Sequence, residues 1–280
     1  MRLGVAGMLP GEPEAVTVER LRALRALGLA GASWHMASVE VAPAALRRVA
    51  TAFAAAEIAL AQLAPPAYPS LADPDPLRRA TAIDRLRRMI EHAHLLEAPS
   101  LYVRPGSLHP RGGWTPHPDH HRPETIARLT ESLRRLAEDA AAAGVTLAVE
   151  GHVVSPLPTP EVVRAVLDTV ASPALRFNMD PVNFVGTLDD AFDPTPLLDR
   201  LFRELGPYSV AAHLKDVTVE ERLVVHIAET LPGRGRLPLG DFLRRWEAIA
   251  PDGWCLLEHL SFADLPEAIA AVRAARENPP

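Results

Sequence analysis

The sequence predicts an α/β fold, a (β/α)8 TIM barrel, from three observations. Short apolar runs alternate with segments whose apolar residues recur at helical spacing, and eight such pairs follow one another. The chain has 280 residues, and barrels of this kind typically have about 250. No charge run or flexible linker separates the repeats. We therefore expect one domain over residues 1–280, with an open doubly wound sheet as the alternative.

The first four pairs occupy the first half of the chain. Prolines at first helical positions and glycines after last ones mark the helix ends, as at Pro43 and Gly144. Strands are expected at residues 3–6, 32–34, 58–62 and 100–104, and helices at 16–27, 43–55, about 76–96 and 123–143. No glycine-rich G-x-G-x-x-G motif follows the first strand, so the sequence lacks the dinucleotide-binding fingerprint.

The fourth strand is followed by an extended loop at about residues 105–123. Loops of this length are uncommon without a function, so we expect a cover or binding loop in which Trp114 contacts the substrate. The loop also carries His109, His117, His120 and His121. Residue type alone leaves each histidine open to either a structural or a ligand-binding role.

The last four strands each end near a polar side chain that can bind a metal. They are expected at residues 146–150, 175–180, 210–216 and 254–259, before or between helices at 160–170, 196–205, 239–249 and 265–275. The strand ends deliver Glu150, Asp180, His213 and Glu258. Because the carboxyl ends of barrel strands form one face, these four side chains should converge there.

Composition limits the class of ligand. The formal net charge of -6 argues against a nucleic acid partner, and 48% hydrophobic residues can fill a large core. The single cysteine, Cys255, excludes an internal disulfide and a cysteine zinc site and is expected to be an inert packed thiol. No signal peptide or long apolar run is present, so we expect a cytoplasmic protein with a small-molecule substrate and no membrane partner. A homo-oligomer remains open.

Three carboxylates and one imidazole suit one divalent cation. Mn²⁺ is preferred, with Mg²⁺ and Co²⁺ as alternatives, because a structural zinc site would normally recruit thiolates or more histidines; Zn²⁺ remains a further alternative. Such an ion can polarise a carbonyl and a neighbouring hydroxyl and stabilise an enediolate, while carboxylates beside it move the proton.

Several motifs, in this order and on these strands, resemble the xylose isomerase-like barrels, also called sugar phosphate isomerases/epimerases, which include hydroxypyruvate isomerase, tagatose 3-epimerase and inosose dehydratase. The motifs are Val149-Glu150-Gly-His152, Asp180-Pro-Val-Asn183, His213-Leu-Lys215-Asp216, Pro232-Gly233-Arg-Gly235 and Leu257-Glu258. The resemblance covers nearly the whole chain. It implies that Glu150, Asp180, His213 and Glu258 bind the metal and that both glutamates flank the reacting carbons of the substrate. On this resemblance, Glu150 and Glu258 are the candidate acid and base.

Three further residues are candidates for substrate contacts. His152 is expected to orient a substrate oxygen or to support the metal ligands. Lys215 is the only lysine in the chain and lies two residues after His213, hence on the same side of the strand. Asn183 stands where many family members carry histidine, and Val219 stands where the epimerases carry arginine.

The sequence thus predicts a divalent-metal-dependent isomerase or epimerase of a small sugar-like hydroxy-carbonyl compound. A metal-dependent dehydratase or lyase of the same superfamily and a non-catalytic sugar-binding barrel remain as alternatives. The nuclease branch of the superfold needs about nine ligands for three zinc ions. No histidine ends strand three or four, and the chain is acidic, and both observations argue against a DNA-repair role.

Overall fold

The computed structural model describes residues 1–277. Eight parallel strands close into a barrel in the spatial order β1-β10-β7-β6-β5-β4-β3-β2. The barrel strands are β1 (Arg2–Val5), β2 (Gly31–His35), β3 (Ala59–Ala64), β4 (Leu101–Val103), β5 (Leu147–Val149), β6 (Leu175–Met179), β7 (Ser209–Leu214) and β10 (Trp254–Leu257). The closed barrel is confirmed, and the open sheet is excluded because β1 pairs with both β2 and β10.

Helices follow the strands along the chain. They are α1 (Val18–Ala26), α2 (Pro43–Ala56), α3 (Pro76–Leu95), α4 (Pro123–Ala143), α5 (Pro160–Val170), α6 (Leu188–Phe192), α7 (Thr195–Leu205), α8 (Leu239–Ile249) and α9 (Leu265–Glu277). Helix α1 begins two residues later than expected because Thr17 caps it, its side chain accepting the Arg20 N–H. Helix α4 ends at Gly144, whose φ of 68° only glycine adopts readily.

Part of the barrel interior is apolar. Trp254 and Leu256 of β10 are buried there with Ala6 and Ala61. Gly31 is required on β2, because a Cβ at this position would lie 2.5 Å from the Trp254 ring. The larger core lies outside the strands, against the helices.

The region after β7 differs from the sequence-based prediction. The expected strand at residues 210–216 ends at Leu214, and the chain then forms an antiparallel hairpin of β8 (Asp216–Val219) and β9 (Ile227–Thr230) outside the barrel. The strand–helix pattern did not predict this insertion. The helix expected at residues 196–205 is also preceded by the short α6.

Two smaller expectations concern Cys255 and the membrane. Cys255 is buried, and burial raises the pKa of its thiol to about 12, as expected for an unreactive thiol. Within residues 1–277, no helix combines the length and the apolar character needed to cross a bilayer.

Candidate metal and substrate site

The structure brings the four predicted strand-end groups together. Glu150 follows β5, Asp180 follows β6, His213 lies in β7 and Glu258 follows β10, and these four strands are neighbours in the barrel. One ligand atom from each of Glu150, Asp180 and His213 lies within 4.8 Å of the others. The Nδ1 of His213 is 3.2 Å from Glu150 Oε1 and 3.2 Å from Glu258 Oε1. All four side chains are buried.

The orientation of His213 comes from a partner on β3. The Nε2 of His213 lies 3.0 Å from Gln62 Oε1, and the Gln62 amide donates to Asn178 Oδ1 at 3.0 Å. A carbonyl acceptor fixes the proton of His213 on Nε2. Nδ1 is buried, has no hydrogen-bond partner and faces the carboxylates. This geometry makes Nδ1 available as a metal ligand.

Glu150 is held by two donors. The Tyr102 hydroxyl donates to Oε2 at 2.7 Å, and the Asn178 amide donates to Oε1 at 2.7 Å. Burial, followed by the negative charge of Glu150, raises the pKa of Tyr102 well above its ordinary value. Tyr102 therefore remains a neutral donor at physiological pH.

Lys215 links the cluster to the hairpin. Its ammonium lies 3.0 Å from Asp180 Oδ2, 3.1 Å from Glu229 Oε1 and 3.3 Å from Glu258 Oε2. Burial alone would lower the pKa of Lys215, but these carboxylates, Asp180 first, raise it well above its ordinary value. Lys215 is therefore a buried cation in the cluster, and it contacts Glu258 as His213 does.

The cluster attracts positive charge. Burial raises the pKa of Asp180 to about 7, although Lys215 opposes the shift. Burial would lower the pKa of His213, but Glu258 and Glu150 outweigh it and raise the pKa to about 10. Such shifts occur because buried carboxylates close to one another favour any nearby cation or proton.

The donor set fits a divalent cation. Both Asp180 oxygens are buried, and neither accepts a hydrogen bond, although the Lys215 ammonium is at ion-pair distance. Buried carboxylate oxygens without donors are costly unless a cation satisfies them. Oxygen ligands with one imidazole suit Mn²⁺, Mg²⁺ or Co²⁺.

Two of the expected substrate residues lie where the loops after β4 and β5 meet. The Trp114 and His152 rings are 5.6 Å apart. The Val154 N–H donates to His152 Nδ1 at 3.2 Å. Burial, with the charge of Lys215, lowers the pKa of His152 to about 4, so its ring is neutral. Asn183 is buried in a short 3₁₀ turn after β6, where its carbonyl accepts the Val153 N–H.

One histidine of the extended loop has a structural role. His120 is buried, its Nδ1 lies 2.6 Å from the Val154 carbonyl, and its Nε2 accepts the Leu108 N–H at 2.9 Å. His120 therefore joins the extended loop to the loop after β5. This contact fixes the base of the segment that carries Trp114.

Several groups at the site were missed by the sequence analysis. They are His35, Gln62, Tyr102, Arg104, Asn178, Glu229 and His259. Gln62 and Asn178 carry a signal that could have found them, because each is a polar residue within an otherwise apolar strand. No sequence signal pointed to Glu229, because it lies on the hairpin that the sequence did not predict.

Several solved structures share this fold at low sequence identity. The apo form of 3-keto-D-glucoside 4-epimerase, YcjR, from E. coli has a TM-score of 0.74 at 16% identity, covering 98% of this chain and 99% of that one. D-psicose 3-epimerase in the presence of D-fructose has a TM-score of 0.74 at 18% identity, covering 99% of both chains. A xylose isomerase-like TIM barrel protein from Mycobacterium smegmatis in complex with magnesium has a TM-score of 0.72 at 15% identity, covering 98% of this chain and 95% of that one.

No curated protein matches the sequence. A family model described as xylose isomerase-like TIM barrel matches residues 21–277. That match includes all four clustered ligand candidates and seven of the eight barrel strands. The chain belongs to the xylose isomerase-like TIM barrel family.

Proposed function

We propose that the chain is an enzyme, a divalent-metal-dependent isomerase or epimerase of a small sugar-like hydroxy-carbonyl compound. The observation that carries the proposal is the placement of two buried glutamates beside one histidine. Glu150 and Glu258 each lie 3.2 Å from His213 Nδ1 and come from strands separated by β6 and β7. Sugar epimerases among the structural neighbours support the reaction class.

Glu150, Asp180, His213 and Glu258 would hold the ion, for which Mn²⁺ is our first choice. When bound, it would act as a Lewis acid toward the carbonyl and adjacent hydroxyl oxygens of the substrate. The ion would also satisfy the two Asp180 oxygens that accept no hydrogen bond. Gln62 would keep His213 in the required tautomer.

Glu258 and Glu150 would move the protons. Burial would raise the pKa of Glu258, but His213 and Lys215 outweigh it and hold the pKa well below its usual range. Glu258 is therefore ionised and able to remove a proton from a substrate carbon. Glu150, oriented by Tyr102 and Asn178, would return a proton or receive one from the neighbouring hydroxyl.

The remaining candidates would position the substrate. The neutral His152 ring and the Lys215 ammonium can each contact a substrate oxygen, with Asn183 nearby after β6. Trp114 would cover the substrate against His152 and exclude water from the proton transfer.

Deuterium exchange tests the proposal. The protein would be incubated in D₂O with Mn²⁺ and each of a panel of ketoses, inososes and hydroxypyruvate. We expect deuterium at the carbon next to the carbonyl of at least one compound. Glu150→Gln and Glu258→Gln should remain folded and lose at least about 100-fold of the exchange rate, within the range contributed by general acid–base groups. Binding without exchange would support the non-catalytic barrel instead.

A further inference from the structure

Arg104 lies at the mouth of the barrel next to the proposed site. It directly follows β4 and is two residues after Tyr102, whose hydroxyl points inward to Glu150. Since side chains alternate along a strand, Arg104 lies on the inner side with Tyr102. The Tyr68 hydroxyl donates to the Arg104 carbonyl and accepts its N–H, both at 2.7 Å. The backbone at this position is therefore held firmly.

Within the part of the chain that the structure describes, the guanidinium of Arg104 makes no ion pair or hydrogen bond with a carboxylate, although the charge of Glu150 acts on it from a greater distance. It is half-buried and lies over the Tyr68 ring, with its central carbon 5.4 Å from the ring centroid. A half-buried guanidinium is normally paired with a carboxylate or phosphate, because losing water without a counter-charge costs free energy. The ring of Tyr68 satisfies only one face of it.

With the proposed ion bound, the charges of the rest of the site would balance without Arg104. Three buried carboxylates, Glu150, Asp180 and Glu258, would be matched by the Lys215 ammonium and the two charges of the ion. Glu229 lies 2.8 Å from the ring of His259. With the ion bound, the positive charge of Arg104 at the mouth of the barrel would remain unmatched, so a negative group of a ligand would complete the site.

His35 provides a second unpaired group in the same region. It ends β2, and its Nε2 is buried and has no hydrogen-bond partner. The ring is near enough to Arg104 and Glu258 for both charges to act on it. Burial lowers the pKa of His35 to about 4, so the ring is neutral and suited to a hydrogen bond with an uncharged or anionic oxygen.

We propose that Arg104 binds an anionic group, a carboxylate or a phosphate, at the end of the substrate that lies away from the metal, and that His35 contacts an oxygen next to it. This inference rests on the proposed function and narrows its substrate class to sugar-like acids or sugar phosphates. A guanidinium binds either group with two parallel hydrogen bonds.

Calorimetric titration of the full chain with Mn²⁺ present tests the proposal with three probes of one carbon skeleton. The probes are glycerol, glycerate and glycerol 3-phosphate. We expect glycerate or glycerol 3-phosphate to bind at least about tenfold more tightly than glycerol. Whichever anion binds more tightly identifies the group as carboxylate or phosphate.

Arg104→Met keeps an apolar stem against Tyr68 and should reduce this preference for the anion by about tenfold to 100-fold, while glycerol binding stays unchanged. Arg135→Met, on the exposed face of α4, is the matched control and should keep the wild-type preference. If Arg104→Met does not fold, Arg104→Lys is the second variant. It keeps the charge but lacks the planar pair of N–H donors, so it should show a smaller reduction of the preference for the anion.

Equal binding of the three probes by the wild-type protein would overturn the proposal. Unchanged anion preference in the folded Arg104 variants would do so as well. Neither result depends on turnover, so failure here is separate from failure of the isomerase proposal, which deuterium exchange into the whole panel, including the anionic hydroxypyruvate, tests independently.

Discussion

At the residue scale, the electrostatics of the site depend on Lys215. It is the only lysine among 29 basic residues, and its ammonium lies within 3.3 Å of oxygens from Asp180, Glu229 and Glu258. A compact ammonium on a flexible stem can reach three carboxylates that point in different directions, whereas a planar guanidinium has a fixed fork. The choice of lysine here therefore has a geometric reason.

Lys215→Arg should be damaging although it keeps the charge. The larger planar group would displace Asp180 or Glu258 by about an ångström, and a misplacement of that size can cost about 100-fold in rate. The measurement is kcat/KM and Mn²⁺ affinity, with Arg88→Lys and Arg135→Lys on the exposed helix faces as controls. These controls should change stability by no more than about 0.5 kcal/mol. An unchanged kcat/KM in Lys215→Arg would contradict this role.

Gln62 should matter for metal affinity although it is not a ligand candidate. Gln62→Met has similar volume and removes the acceptor that fixes the His213 tautomer. Loss of such outer partners typically weakens metal binding about 10–100-fold. Titration with Mn²⁺ measures the effect. Ser100→Ala, which removes another partner of the Gln62 amide, is the milder comparison. Wild-type affinity in Gln62→Met would contradict the role of Gln62 in holding His213 for the metal.

At the element scale, the β8–β9 hairpin explains two of the sequence motifs, His213-Leu-Lys215-Asp216 and Pro232-Gly233-Arg-Gly235. The Asp216 carboxylate accepts the backbone N–H groups of Val217, Gly233, Gly235 and Leu237. A Cβ on Gly235 would lie 2.2 Å from Asp216 Oδ1, so glycine is required by this close approach. The segment after His213 thus anchors a hairpin whose Glu229 contacts the site.

The contact of the hairpin with the site should depend on pH through Glu229 and His259. The hydrogen bond to Glu229 raises the pKa of His259, so this contribution is fully present below about 6.5, its unfolded value, and is lost as pH rises through the raised pKa. Burial opposes the shift of Glu229, but His259 and Lys215 lower its pKa from 4.5 to about 2. The contribution of Glu229 is therefore present above pH 4.5 and is lost as pH falls toward 2. Protection of β9 should be greatest between pH 4.5, the unfolded pKa of Glu229, and about pH 6.5, the unfolded pKa of His259.

Hydrogen exchange of β9 amides, corrected for intrinsic rates, at pH 5.5 and pH 9 would measure this dependence. His259→Gln removes the titrating group and should abolish the decrease in protection at high pH. Amides of β6 provide an internal reference within the barrel. The same decrease in His259→Gln would assign it to another group.

At the scale of the whole molecule, the closed barrel concentrates charge in its interior. Strand order makes β5, β6, β7 and β10 neighbours, so residues up to 108 positions apart, Glu150 and Glu258, share one site. Like charges brought together in this way oppose folding, and a cation relieves the repulsion.

Divalent metal should therefore stabilise the whole barrel. At a free Mn²⁺ concentration about 100 times Kd, one site contributes about 2.7 kcal/mol, which raises Tm by several degrees for a chain of this size. Asp180→Asn should lose most of this shift, and Glu267→Gln on the outer helix α9 should retain it. Scanning calorimetry with and without metal is the measurement; an equal shift in Asp180→Asn would place the metal elsewhere.

Much of the fold was predictable from the chain alone. Eight strand–helix pairs, their approximate bounds and the strand-end positions of Glu150, Asp180, His213 and Glu258 follow from local periodicity and turn residues. The barrel topology then requires that these ends meet on one face. The insertion of β8 and β9 was missed because short strands outside the barrel have no periodic signal distinct from a loop.

What the sequence by itself determined is the barrel, the set of groups that converge in it and the family resemblance that those groups carry. Only the tertiary structure decided that Gln62, 151 residues away, orients His213. Likewise, only it decided that Lys215 contacts a hairpin glutamate and that Arg104 makes no ion pair with a carboxylate in the described residues. The physical reason is that periodicity specifies which side of an element faces inward, whereas a hydrogen bond or ion pair depends on atoms from distant segments reaching within about 3 Å.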